Sequence, residues 1–248
     1  MGLTPLLFSG CAAPSVTIES EPVPRGHIVG RPGRAGVIVA APHGTSDKNT
    51  GDIAAQISRR TGFGLVVATG FSIEPDTGER AGRRYLVNRP FEGVPGVRLA
   101  EEVMTAPARS VYDQYERRVR EVSGGPLAFY VEVHGNGRRE SADRIEVATV
   151  GVDREHALQL RTLFELTRDA HLRTDREAPR LRILVEPADQ LFYTASGAKR
   201  AGILRLPQRA LHIELPKAAR VDWRDLYTAI LADFVNEAVS LRPLRSAP

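Results

Sequence analysis

Two histidines, each followed by glycine, and two acids stand where they could hold and use a metal ion. His43-Gly44 and His134-Gly135 each follow a short apolar run, residues 37–41 and 127–133, and Asp47 lies four positions after His43. Glu214 sits inside a third apolar run, residues 211–215. Two imidazole nitrogens and one carboxylate oxygen make a common ligand set for a catalytic zinc and leave a position open for water. Glu214 is then placed to take the proton of that water as it attacks a carbonyl polarised by the metal. A lone histidine is by default a satisfied loop or core residue. Two strand-end His-Gly pairs in one chain favour ligation instead. Asp52 is a second candidate for the carboxylate ligand, although an acid in the first turn of a helix commonly serves the helix dipole. His212, two residues before Glu214 and so on the same face of its strand, is expected to hydrogen-bond behind the site rather than to ligate. His27, His156 and His171 receive no role.

These residues meet only if the apolar runs are strands that converge. Residues 37–41, 65–69, 127–133, 145–152, 181–185 and 211–215 read as short buried strands. Between them, residues 52–60, 111–122, 154–168 and 223–239 have helical periodicity, with Thr50, Asp153 and Asp222 as candidate caps. Trp223, Leu226, Ile230, Phe234 and Val235 form an apolar stripe on the last helix. This alternation predicts an α/β fold, a mixed and largely parallel sheet between helix layers. In such folds ligands bind beyond the carboxyl ends of the strands. Residues 70–96 read as one long loop rich in Gly, Arg and Pro.

With 248 residues the chain is long enough for one such domain, and 42% hydrophobic with 26% charged residues is a globular balance. Residues 36–248 are expected to form a single catalytic domain. Residues 1–35 are expected to be a tail, and the Pro- and Gly-rich stretch 16–35 a tether. The formal net charge is +4, from 34 Lys and Arg against 30 Asp and Glu. Arg80, Arg83, Arg84 and Arg89 are the nearest thing to a basic patch, without the length or interleaved aromatics of a nucleic-acid platform. A small anionic substrate suits the excess better. The single cysteine, Cys11, excludes an internal disulfide and a thiolate metal site. Followed by Ala12, Ala13 and Pro14, it is similar to a bacterial lipoprotein cleavage box, with Phe8 standing where that pattern prefers leucine. Lipidation there would attach the protein to a membrane and make it periplasmic or membrane-anchored; otherwise a cytoplasmic location is expected.

The stretch from Ala41-Pro42-His43-Gly44 to Asp47, with Asn49-Thr50-Gly51-Asp52, resembles the first metal motif of the N-formylglutamate amidohydrolase and poly-γ-glutamate hydrolase group, related to zinc carboxypeptidases. Val133-His134-Gly135 resembles the segment with their second histidine, and Ile213-Glu214-Leu215 the strand with their catalytic glutamate. Asn88-Arg89-Pro90 is similar to the Asn-Arg pair that holds the substrate carboxylate, and Tyr193 to Gly197 to the carboxypeptidase tyrosine loop. The four main motifs occur in the family's order between residues 37 and 220. Many relatives carry a glutamate where this chain has Asp47, which is shorter by one methylene. The resemblance implies a carboxypeptidase-like fold and a zinc held by His43, Asp47 and His134. It also implies substrate binding by Asn88, Arg89 and Tyr193, and it leaves Arg84 or its neighbour Arg83 as the oxyanion donor. The expected activity is hydrolysis of an amide bond in a small carboxylate-bearing or peptide-like substrate. The alternative is a non-catalytic envelope lipoprotein that uses the same fold to bind a ligand or protein. A serine or cysteine hydrolase is disfavoured, because no Gly-x-Ser-x-Gly turn occurs and the cysteine lies outside the domain.

Overall fold

The computed structural model describes residues 19–23, 26–71, 84–93 and 102–241. Cys11, Arg80 and Arg83 lie outside them, as does the side chain of Arg84. In chain order the strands are β1 (Glu19–Val23), β2 (Gly26–Arg31), β3 (Arg34–Ala41), β4 (Phe63–Thr69), β5 (Arg84–Leu86), β6 (Phe91–Gly93), β7 (Phe129–Gly135), β8 (Arg144–Val150), β9 (Arg182–Val185) and β10 (Arg209–Leu215). The helices are α1 (Thr50–Thr61), α2 (Ala106–Ser123), α3 (Arg154–His171), α4 (Ser196–Ala201) and α5 (Arg224–Ala238). Among the described residues, eight strands form one sheet in the order β1-β2-β4-β3-β7-β10-β8-β9, and β5 with β6 makes a separate hairpin. The central four, β4, β3, β7 and β10, are parallel, whereas β2 joins β4 and β8 joins β10 antiparallel. The mixed, largely parallel sheet expected from the alternating pattern is therefore present.

Alternation along the central strands divides the core in two. Odd-numbered residues such as Val39, Val131, Val133, Leu211 and Ile213 pack against Ile53 and Ile57 of α1, Phe164 of α3, and Ile230 and Phe234 of α5. Even-numbered Ile38, Ala40, Tyr130 and Ala210 pack against Val111, Tyr115 and Val119 of α2. Each fully buried Ile or Phe contributes roughly 1.5–3 kcal/mol of transfer free energy. The face toward α2 turns polar as β7 and β10 approach their carboxyl ends, through Glu132 and His134 on one and His212 and Glu214 on the other. Among the described residues, no helix is long and apolar enough to cross a membrane.

Four local expectations are corrected. The stretch read as a tether contains β2, whose Ile28 is fully buried, and β1 pairs with it at the sheet edge. Thr50 is the first residue of α1 and does not cap it; its hydroxyl donates to the Asp47 carbonyl at 2.7 Å. Asp222 does not cap α5, because its carboxylate accepts from Lys217 at 2.5 Å within a one-turn π-helix. The long loop of residues 70–96 includes the β5–β6 hairpin. Asp153 does cap α3, accepting from the His156 backbone N–H at 2.7 Å.

Candidate metal centre

The chain runs from β3 through α1 to β4 on one side, then returns through α2 to β7 on the other side of β3. Strand order reverses at β3, and a ligand crevice opens beyond the carboxyl ends of strands at such a point. His43 lies just past the end of β3, and His134 is the penultimate residue of β7. Their rings meet edge to face with centroids 4.8 Å apart.

The turn after β3 is tied down at both ends. The Asp47 N–H donates to the His43 carbonyl at 2.8 Å, which folds Asp47 back over the histidine. Asn49 adopts the left-handed conformation with φ 69°, and its side chain donates to the Arg220 carbonyl at 2.9 Å. Gly44 permits a close approach to the sheet. Its N–H donates to the Ala68 carbonyl at 2.9 Å, and a Cβ there would come within 2.8 Å of the same oxygen. Asp47 Oδ2 consequently stands 3.3 Å from His43 Nδ1 and 3.4 Å from His134 Nδ1, and it accepts the Gly135 N–H at 3.2 Å.

The strand-borne half of the site is set by register. Glu132 is the partner of His212, and His134 the partner of Glu214, across the parallel β7–β10 pair. Because residues two apart share a face, all four side chains point the same way. His212 bridges two acids: Nδ1 lies 2.6 Å from Glu132 Oε1, and Nε2 lies 3.2 Å from Glu214 Oε1. Glu132 is wholly buried and also accepts from Asn88 Nδ2 at 3.3 Å and the Tyr130 hydroxyl at 3.3 Å. His134 Nε2 is 3.5 Å from the same carboxylate.

Burial draws the His134 pKa down, but the carboxylates of Asp47 and Glu132 outweigh it and push it up to about 10. Burial raises the Asp47 and Glu132 carboxyls, and their histidine neighbours overcome that and hold both well below the ordinary carboxylate range. His134 is thus held as an imidazolium between the two carboxylates of Asp47 and Glu132.

Among the described residues, two sets of three groups are close enough to hold a cation: His43, Asp47 and His134, and Glu132, His134 and His212. Zinc bonds of about 2.0–2.1 Å in a tetrahedron separate neighbouring donors by roughly 3.3–3.4 Å. The two contacts of Asp47 with histidine have that spacing. The 2.6 Å contact between Glu132 and His212 is a short hydrogen bond, too close for two donors sharing one ion. The first set fits zinc, and Glu132 fits the role of the outer carboxylate that orients a ligating histidine. Glu214 supports the fit: its Oε2 is buried and has no hydrogen-bond partner among the described residues.

A cavity of about 600 Å³ opens onto this centre, with His43, Asp47, His134, His212, Glu214 and Tyr193 in its wall. The Tyr193 pKa is raised, by burial first and then by the Glu214 charge, so its phenol stays protonated. Its backbone N–H donates to Glu146 Oε2 at 3.1 Å, which holds the tyrosine loop against β8. Arg89 also reaches the wall, from the turn of the β5–β6 hairpin, with its guanidinium on Glu102 and Asn88. Asn88 is fully buried behind it. Asp52 is exposed and lies 4.0 Å from Arg224, away from the centre, as befits a first-turn acid. Glu132 is the member of this cluster that sequence reasoning missed. The signal was the repeated spacing of Glu132-x-His134 and His212-x-Glu214.

No protein-family model and no curated protein matches this chain. Solved structures do share its architecture. A zinc-free structure of a protein named YNDL aligns with 88% of this chain and 91% of its own, at 12% identity and a TM-score of 0.51. That likeness is one of fold. A bacteriophage poly-γ-glutamate hydrolase aligns over the same shares at 13% identity and a TM-score of 0.47. An aspartoacylase family protein from Mesorhizobium loti aligns with 97% of this chain and 72% of its own, at 14% identity and a TM-score of 0.43.

Proposed function

We propose that this chain is a zinc-dependent hydrolase that cleaves an amide bond in a small carboxylate-bearing or peptide-like substrate. One observation carries the reading: Asp47 Oδ2 is flanked by two histidine nitrogens at 3.3 and 3.4 Å, with Glu214 on the neighbouring strand in the same cavity wall. Zinc held by His43, Asp47 and His134 would supply Lewis-acid polarisation of the scissile carbonyl and acidify a water.

The protein's own groups do the rest. His212 holds Glu214 at Oε1 and leaves Oε2 to receive the proton of the attacking water and pass it to the departing amine. Glu132 fixes His212 in turn from a position that solvent does not reach. Tyr193, as a protonated phenol in the cavity wall, donates a hydrogen bond to the substrate. Arg200, exposed in the same wall, gives the cavity a positive side that suits an acidic substrate. Arg84 remains the proposed oxyanion donor, from the strand that leads into the Asn88-Arg89 turn. Membrane attachment through Cys11 belongs to the same proposal and is read by lipid labelling of the wild type beside Cys11→Ser.

The test is turnover of N-acyl-glutamates with free and with amidated carboxylates, and of γ-linked glutamyl peptides, by the zinc-supplied protein beside Glu214→Gln. Hydrolysis by the wild type, lost in the variant while its zinc is kept, is the expected result. Zinc bound by both with no hydrolysis of any acidic amide would refute the hydrolase and favour a ligand-binding protein on this fold.

A further inference from the structure

The cavity wall contains an ion pair that the proposed chemistry does not use. Arg89 Nε donates to Glu102 Oε2 at 3.0 Å and Nη2 to Glu102 Oε1 at 2.6 Å, the paired geometry by which a guanidinium grips a carboxylate. The third nitrogen, Nη1, donates to Asn88 Oδ1 at 3.0 Å. Both partners are largely shielded, with side chains 14% and 17% exposed. Glu102 is not loosely placed. The adjacent Val103 exchanges two backbone hydrogen bonds with Glu92 of β6, at 2.9 and 3.0 Å, which ties it to the hairpin that carries Arg89. From the other side α4 closes over the arginine, since a Cβ on Gly197 would come within 2.9 Å of Arg89 Cδ. The carboxylate-gripping edge of Arg89 is therefore already filled by the protein itself.

We propose that Glu102 is a specificity-determining residue that occupies Arg89 in place of a substrate carboxylate. With the pair intact this part of the cavity is neutral, and a second carboxylate arriving there meets like charge before it meets the arginine. The substrate class that follows has its scissile amide inside a chain, or beside an acid that is blocked, rather than next to a free terminal carboxylate. This refines the amide-hydrolase reading and rests on it for the word substrate. The recognition claim concerns binding alone and is measured without turnover.

The test is the affinity of glutarate and of its monoamide, by calorimetry, for zinc-supplied wild type, Glu102→Gln and the double variant Glu102→Gln, Arg89→Gln. Gln is isosteric with Glu, and thermal melts check that each variant is folded; Glu102→Ala serves as a second single variant. The expected result is a diacid-over-monoamide ratio that rises about tenfold on removing the Glu102 charge, the gain of one freed guanidinium–carboxylate pair, and returns to the wild-type value in the double variant. A ratio that does not rise in either single variant, or a rise that survives loss of Arg89, overturns the proposal. Failure of all forms to hydrolyse amides would count against the hydrolase and leave these ratios interpretable.

Discussion

The two ends of β10 hold buried histidines in opposite electrical surroundings. At the carboxyl end, His134 and His212 lie among Asp47, Glu132 and Glu214, and His134 is pushed up to about 10. At the amino end, His156 is buried, and the Asp153 charge acts on it less than burial and Arg209 do. Its nearest charge is Arg209, 3.5 Å from Nε2, and burial first and Arg209 second lower its pKa. Arg209 donates at 2.7 Å to the carbonyls of Leu241 and Val239, which end the last helix, and lies 5.2 Å from the Phe129 ring centroid. One end is a strut that caps a helix with a fixed cation. The other gathers acids around imidazoles that a metal can take over once their protons leave. Which end is the site is decided by charge around the ring, because burial is common to both.

Substitutions should separate the ends in the same way. The largest effect is expected from Glu214→Gln, a loss of about 10²–10⁴-fold in kcat with zinc content unchanged, read by steady-state kinetics and elemental analysis. Glu132→Gln should weaken zinc binding by roughly 10–100-fold, through looser orientation of His134 and His212, in a competition assay against a chromogenic chelator. Arg209→Met at the other end should cost about 1–3 kcal/mol of stability in urea unfolding, from carbonyls left without a donor, and leave zinc affinity within about twofold. The smallest effect concerns pH. His156 has a depressed folded pKa, so its contribution to stability is present above the unfolded value of about 6.5 and is lost as pH falls below it. The thermal midpoint of metal-free protein should therefore fall less steeply from pH 7 to 5 in His156→Gln than in the wild type. An equal slope in both would remove the contrast between the ends.

Much of the site end was legible in the sequence because its loop residues follow strands that read as continuous apolar runs. Residues 37–41 and 127–133 end where His43 and His134 begin to matter, and parallel strands bring such ends together. Glu132 was legible only as a residue on the same strand face as His134. It interrupts an apolar strand, and only the register of β7 against β10 reveals that it faces His212. Register between strands far apart in sequence is a tertiary fact. β2 was missed because Gly26, Gly30 and nearby prolines mark turns more strongly than Ile28 and Val29 mark a strand, and its pairing with β1 and β4 on either side is not visible locally. Glu102, 13 residues from Arg89, was likewise invisible: a bridge between Val103 and β6, not local sequence, delivers it.

The central claim is that His43, Asp47 and His134 bind zinc, and elemental analysis of zinc-supplied wild type beside His134→Ala tests it most directly. The account predicts about one zinc per wild-type chain, lost in the variant while the fold persists by circular dichroism. Wild type that takes up no zinc, or a His134→Ala protein that keeps a full complement, would contradict it.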